Sequence, residues 1–277
     1  MTPDQYCQHK ATQSGSSFYY SFLFLPPERR RAITALYAFR REVDDVVDEC
    51  ADPSVAAVTL AWWRGEVAAL FRGSPQHPVT RALAPLVEPY RITEARLGEI
   101  LDGMEMDLRE TRYLDFGALD RYCCRVAGVV EILAAGIFGY RNPQTLQYAD
   151  ALGRAFQLTN IIRDVGVAAR KHRIYLPLDE LARFEVPAAD ILNARHTAAF
   201  ARLMAFQIER AEARYDHALA LLPAEDRRAQ RPGLAMAAIY RTLLGEIRRD
   251  DYRVLAHRIA LTPIRKLWLA WKTWVSA

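Results

Sequence analysis

An all-α fold is what this sequence predicts, on three observations. Apolar residues recur at three- and four-residue spacing over most of the chain, no stretch sustains period-two alternation, and no repeat of fixed length marks a solenoid. At 277 residues and 51% hydrophobic, the chain can bury a sizeable core. Its proline-rich breaks are too short to be interdomain linkers, so residues 1–277 are expected to form a single domain of packed antiparallel helices.

Each element has its own signal. Thr2-Pro3-Asp4 pairs an N-cap with a proline at the first helical position, which predicts a short helix that fades near Ser14-Gly15-Ser16-Ser17. Pro26-Pro27-Glu28 opens a long helix. Asp52-Pro53 restarts the chain into another, with Leu60, Trp63, Val67 and Leu70 at helical spacing, before Pro75, Pro78, Pro85 and Pro89 break up the next part. Thr93-Glu94 caps a helix in which Leu97, Ile100, Leu101, Met104 and Leu108 share a face. From Asp115 to Phe138 the pattern is helical and apolar nearly all round, so that helix is expected to be central, with Glu131 out of place in it. Asn142-Pro143 caps a helix running to about Arg170, Arg173-Ile174-Tyr175-Leu176-Pro177 ends that region, and two long helices follow, Thr197 to Leu222 and about Pro232 to Asp251.

Composition excludes several classes. A net charge of +4 is small against 37 basic and 33 acidic residues, and Arg29-Arg30-Arg31 and Arg248-Arg249 fall in helical stretches, so nucleic acid is not an expected partner. Four cysteines, Cys7, Cys50, Cys123 and Cys124, make neither a disulfide framework nor zinc-ligand spacing, which suits a reducing cytoplasm. No N-terminal stretch has the form of a secretory signal, and the longest uncharged apolar run, Ile132 to Tyr140, is far short of the ~20 residues that span a bilayer.

The chemistry starts at Arg-Arg-Glu-Val-Asp-Asp-Val-Val-Asp, residues 40 to 48. At ~100° per residue from Leu36, Ile33, Phe39, Val43, Val46 and Val47 cluster in one stripe, while Tyr37, Arg41, Asp44 and Asp48 line its shoulder. A solvated acidic face would lie opposite the apolar stripe, yet these carboxylates border it. Surface salt bridges from Arg40 and Arg41 to Asp44, Asp45 and Asp48 are the alternative reading.

The arrangement recurs further along. Gln157, Asn160 and Asp164 fall at i, i+3, i+7 beside an apolar face of Leu158, Ile161, Ile162 and Val165, with Gly153 one turn earlier on the same stripe. Ordinary helix-surface polarity is the bland alternative. No Glu-x-x-His pair occurs, so a di-iron or di-manganese bundle is not indicated. Carboxylates with an amide, and neither histidine nor cysteine nearby, suit Mg²⁺, a hard ion that completes its shell with substrate phosphates. That chemistry points to a diphosphate ester. Mg²⁺ would neutralise the leaving diphosphate, Arg41 and Arg163 would take up further charge, and apolar helices would shelter the carbocation.

Four stretches together resemble the squalene and phytoene synthases. They are Ser-Gly-Ser-Ser-Phe-Tyr-Tyr-Ser-Phe at 14 to 22, Ala-Leu-Tyr-Ala-Phe-Arg-Arg-Glu-Val-Asp-Asp-Val-Val-Asp at 35 to 48, Tyr-Cys-Cys-Arg-Val-Ala-Gly at 122 to 128 and Gln-Leu-Thr-Asn-Ile-Ile-Arg-Asp-Val-Gly at 157 to 166. The resemblance implies an all-α isoprenoid-synthase fold with a central cavity, and head-to-head joining of two prenyl diphosphates with Mg²⁺ between two aspartate-rich helices. It also implies metal-ligand roles for Asp44, Asp48, Asn160 and Asp164, a catalytic role for Tyr122, and substrate or diphosphate contacts for Ser17, Phe18, Tyr37, Arg41, Gln157, Arg163, Tyr240 and Arg258. The opening Phe-Tyr-Tyr-Ser-Phe-Leu-Phe-Leu-Pro-Pro-Glu-Arg-Arg and the closing Arg-Lys-Leu-Trp-Leu-Ala are most similar to bacterial presqualene diphosphate synthases of hopanoid pathways. Such enzymes condense two farnesyl diphosphates. Phytoene and dehydrosqualene synthases share the same motifs and stay open as readings.

Two departures from the family pattern stand out. The acid that normally follows one turn after the position of Asp164 is Ala168 here, preceded by Val167, and Glu131 stands where glycine is usual. Each is expected to weaken or abolish turnover, which leaves open a catalytically impaired homologue that binds prenyl diphosphate or a partner enzyme, as well as an all-α interaction protein without a ligand. At the C-terminus Leu267, Trp268, Trp271 and Trp274 share one helix face near Arg265, Lys266 and Lys272. Two readings stand for that face: peripheral contact with the inner face of the membrane, beside downstream isoprenoid enzymes, or a cap on the protein's own core.

Overall fold

The computed structural model describes residues 1–13, 17–50 and 52–276, the side chains of residues 17–19 excepted. Helix α1 (Pro3–Gln13) starts at its proline and packs on α3, and α2 (Ser17–Phe22) follows it. Helix α3 (Pro27–Glu49) buries Ile33, Leu36, Phe39, Val43 and Val47. At ~1.5–3 kcal/mol for each large apolar side chain, that burial far outweighs the ~0.2–0.5 kcal/mol of repulsion between Asp44 and Asp48. The helix therefore forms with both carboxylates on its shoulder, as its periodicity predicts.

Asp52 caps α4 (Pro53–Phe71), its carboxylate accepting from the Ser54 amide at 2.8 Å. Buried Glu66 of α4 accepts from the amides of Gln76 and His77 and from the Thr80 hydroxyl, which ties down the proline-broken loop leading into α5 (Pro78–Leu83). Thr93 caps α6 (Glu94–Arg109), and Asp115 caps α7 (Phe116–Cys123).

The single helix expected from Asp115 to Phe138 is three pieces. After α7 comes a π-helical turn, Cys124–Gly128, and then α8 (Val129–Phe138), which ends at Gly139 with φ +89°. The reason is close packing. A Cβ on Gly153 would lie 2.5 Å from the Ala127 carbonyl oxygen, so α9 (Thr145–Arg163) comes against the π turn at backbone distance. The helix expected to run on to Arg170 likewise bends at Asp164, whose φ of −103° and ψ of 16° separate α9 from α10 (Val165–Arg170). The Ala168 amide still donates to the Asp164 carbonyl at 2.9 Å, so the face carrying Asp164 continues into α10.

Short helices were not legible as periodic runs: α2 and α5, and further on α11 (Leu178–Arg183) and α12 (Ala188–Leu192), the last two each opening after a proline. Then come α13 (Ala198–Leu221), α14 (Arg231–Arg249) and α15 (Pro263–Ser276). Helix α9 is the inner helix, packed against α8, α13 and α14, while α3 packs on α1, α5 and α8. Among the described residues no strand forms, only a lone parallel bridge between Arg112 and Ile174. Among the described residues no helix is long and apolar enough to cross a membrane.

Candidate functional site

One cavity of about 530 Å³ opens between α3, α6, α9, α10 and α14. Tyr37, Arg41, Asp44 and Asp48 enter it from α3; Gln157, Asn160 and Arg163 from α9; Asp164 from the bend; Tyr240 from α14; Tyr122 from α7; and Arg258 from the segment before α15. Every described side chain expected at the site thus lines a single space, with the two carboxylate-bearing stripes on its walls. Ser17 and Phe18, the remaining two, have side chains outside the described residues.

Basic groups hold the carboxylates. Asp44 lies 3.8 Å from Arg40 and 3.4 Å from Arg41, and Arg41 also pairs with Asp45. The salt-bridge alternative therefore holds for Asp44 and Asp45 but not for Asp48, which neither arginine reaches, while Asp44 and Asp48 still line the cavity. Burial pushes the Asp44 carboxyl above its usual range, against the pull of Arg40. Asp48, at the mouth, meets the Lys171 ammonium at 3.0 Å. Asp164 is gripped by Arg163 and, at 2.8 Å, by Arg258. Burial alone would raise its pKa, but the hydrogen bonds and charge of those two arginines hold it below the usual carboxylate range. A Cβ on Gly166 would come within 2.6 Å of the Val254 carbonyl, so glycine there lets the chain pass close over α10 and deliver Arg258 to Asp164. The Asn160 carbonyl oxygen accepts from the Tyr240 hydroxyl at 2.9 Å, and its amide donates to Gln157.

The same cavity is lined by a group that sequence reasoning missed. Asp107 of α6 accepts from the Tyr122 hydroxyl at 2.7 Å and from the Tyr175 hydroxyl at 2.8 Å. Burial pushes its carboxyl up to about 6, partly offset by those hydrogen bonds and by the charge of Arg173. The Tyr122 and Tyr175 rings stack at 5.4 Å, with Tyr113 beside both. A usable signal was present. Asp107 sits three residues after Met104 on the apolar stripe of α6, the same shoulder placement that singled out Asp44. Tyr175, Arg173 and Lys171 had no such signal, because they follow α10 in irregular chain.

Among the described residues seven basic side chains line the cavity against four acidic ones, an excess of three positive charges when all are ionised. Among the described residues no three or more acidic, histidine or cysteine side chains gather closely enough to cage a metal ion. The oxygen donors Asp44, Asp48, Asn160 and Asp164 instead fit a divalent ion shared with a ligand's phosphates, which needs only one or two carboxylates from the protein.

Residues 11–265 match the squalene/phytoene synthase family. The chain belongs to that family. A phytoene synthase of Arthrospira platensis is 35% identical over 274 residues, covering 94% of this chain and 89% of its own length. The 15-cis-phytoene synthase of Synechocystis sp. is 33% identical, over 98% of this chain and 84% of its own length. A solved dehydrosqualene synthase with bound ligand aligns with TM-score 0.87 at 26% identity, over 99% of this chain and 96% of its own. Squalene synthase HpnC from Alicyclobacillus acidocaldarius aligns with TM-score 0.77 at 28% identity, over 90% and 94%.

The squalene/phytoene synthases are prenyltransferases that join prenyl diphosphates head to head, using a divalent metal to bind the diphosphate. Against that family the two departures take on a location. Val167 and Ala168 line the cavity just beyond Asp164, so the missing acid leaves an apolar patch on the wall itself. Glu131 is buried in α8 and does not line the cavity.

Proposed function

We propose that this protein condenses two farnesyl diphosphates, with Mg²⁺, to presqualene diphosphate and releases one diphosphate, as a step towards hopanoids. The supporting observation is one cavity that joins two facing sets of oxygen donors to a cation-rich mouth and to apolar walls of Ile161, Ile239, Leu243 and Leu261. In the reaction the C1–O bond of one ester breaks and its electron pair leaves with the diphosphate. The allylic cation adds to the double bond of the second ester, and loss of a proton closes the cyclopropane. Asp44, Asp48, Asn160 and Asp164 would hold Mg²⁺, which would supply charge neutralisation for the leaving diphosphate.

The chain's own groups do the rest. Arg41, Arg163 and Arg258 bind phosphate oxygens. Tyr240 orients Asn160 through its 2.9 Å hydrogen bond, and Asp107 fixes the Tyr122 and Tyr175 rings so that their faces offer π density to a cation. Tyr37, Gln157, Ser17 and Phe18 complete the substrate contacts by family resemblance.

A second reading, phytoene synthesis from longer prenyl chains, is favoured by the 35% and 33% identity to phytoene synthases. The apolar patch at Val167 and Ala168 favours a third, binding with little turnover. Purified protein with Mg²⁺ and either farnesyl or geranylgeranyl diphosphate separates them. A thirty-carbon cyclopropyl diphosphate supports the first reading, a forty-carbon product the second, and binding without diphosphate release the third. Asp44→Asn should abolish Mg²⁺-dependent diphosphate binding in calorimetry, and intact binding would remove Asp44 from the metal site.

The reading extends to location. Helix α15 presents Ile264, Leu267, Trp268, Trp271 and Val275 to the exterior and contains three basic residues and no acid, which suits the anionic inner face of a membrane. A cytoplasmic enzyme seated there would pass its lipid-soluble product to a downstream isoprenoid enzyme.

A further inference from the structure

The second wall of the mouth lacks an acid and carries a cation. Beyond Asp164 the cavity surface runs over Val167 and Ala168, and the next charged side chain on that wall is Lys171, the C-cap of α10. Its ammonium spans the mouth to α3, 3.0 Å from the Asp48 carboxylate and 3.2 Å from the Asp48 carbonyl oxygen. Two complete acidic helices facing each other would repel, and would bring in divalent ions to hold a polyanion between them. Here one helix meets the other through an ammonium. The excess of three positive charges in the cavity points the same way, since such a site attracts a diphosphate before any metal is added.

We propose that Lys171 is a diphosphate-binding residue. With Arg163 and Arg258, its ammonium replaces the metal ion that the missing acid would hold, so this chain takes up diphosphate with less divalent metal than two full acidic motifs require. Lys171 and Asp48 are both substantially exposed, at 44% and 41% of their side chains. An exposed pair of this kind contributes little to stability, so its release for a phosphate costs little. The four-carbon stem lets the ammonium swing from the carboxylate to a phosphate oxygen without backbone movement. The inference rests on the proposed function only in taking a diphosphate ester as the ligand.

The test is calorimetric titration of the full chain with inorganic diphosphate, once in EDTA and once with Mg²⁺. The wild type should bind in EDTA. Lys171→Gln should weaken that binding at least about tenfold, while Lys171→Arg, which keeps the charge, retains most of it. Asp48→Asn should have opposite effects in the two buffers. It frees Lys171 and tightens metal-free binding, yet removes a ligand and weakens Mg²⁺-dependent binding. A merely structural role for Lys171 would produce neither the rescue by arginine nor the reversal at Asp48. Binding that appears only with Mg²⁺, or equal metal-free affinity of wild type and Lys171→Gln, overturns this inference and leaves the proposed function standing. Failure of the wild type to bind in either buffer overturns both.

Discussion

At the scale of single residues, Glu131 is the strongest test of how burial sets charge. It is buried in α8, makes no hydrogen bond among the described residues, and burial pushes its carboxyl up to about 8, with only the charge of Arg40 opposing. A carboxylate there had to find a partner or take up a proton, and it takes up the proton. Between its ordinary value of 4.5 and about 8 the folded chain holds a proton that the unfolded chain has lost, so stability from this group falls as pH rises through that window. Glu131→Gln removes the ionisation. Denaturant titration should show the variant and wild type nearly equal at about pH 5, and the variant more stable at about pH 9, by at most roughly 5 kcal/mol. Equal pH profiles would mean that Glu131 is ionised and paired in solution. This oddity was legible from sequence because an acid interrupts an apolar run. Asp107 was equally legible in principle, but its partners Tyr122 and Tyr175 are far along the chain and only the fold brings them to it.

Elements were legible where one period runs without interruption. The α3 and α9 stripes each keep their 3.6-residue period through the functional positions, so their apolar faces and their carboxylates could both be placed. The π turn at Cys124–Gly128 and the bend at Asp164 leave no mark on that period. They answer to backbone approaches at Gly153 and Gly166 by residues distant in sequence. Helix α15 shows a third limit, because spacing identified its apolar face without saying which side meets the protein. The structure divides the four residues Leu267, Trp268, Trp271 and Trp274. Trp274 turns inward, its ring 5.6 Å from Phe24 with Arg231 over it, so for this residue the core-cap reading holds. Leu267, Trp268 and Trp271 remain exposed, joined by Ile264 and Val275 in one stripe. Replacing Trp268 and Trp271 together by serine should leave helicity and melting temperature unchanged while sharply reducing sedimentation with anionic vesicles. Equal sedimentation of variant and wild type would assign the stripe to something other than lipid.

At the scale of the whole molecule, the fold sets two helix systems across a cavity, and their charges decide what can enter it. Among the described residues α3 brings Asp44 and Asp48 to the cavity, α6 brings Asp107 and the α9–α10 bend brings Asp164, and the basic residues around them leave the space positive. The balance can be shifted from the wall where the family's acid is missing. Val167→Glu with Ala168→Asp adds two negative charges at positions that already line the cavity and are half-buried, so the chain can accommodate them without filling a packed core. Because the Ala168 amide stays bonded to the Asp164 carbonyl, a carboxylate at 168 lies one turn beyond Asp164 on the same face. It gains a divalent ion as a partner and also sits within reach of Lys171, which it would neutralise. Two effects should therefore appear together in the double variant. The half-saturating Mg²⁺ concentration for diphosphate binding falls, and binding in EDTA weakens, because the positive excess drops from three to one while a better metal site appears. Turnover with Mg²⁺ should rise as well, if charge neutralisation at this wall limits release of the diphosphate. A variant that folds normally, by circular dichroism and melting temperature, yet shifts neither Mg²⁺ dependence nor metal-free binding would show that diphosphate does not approach the α10 wall, and the second half of the site would have to be sought elsewhere.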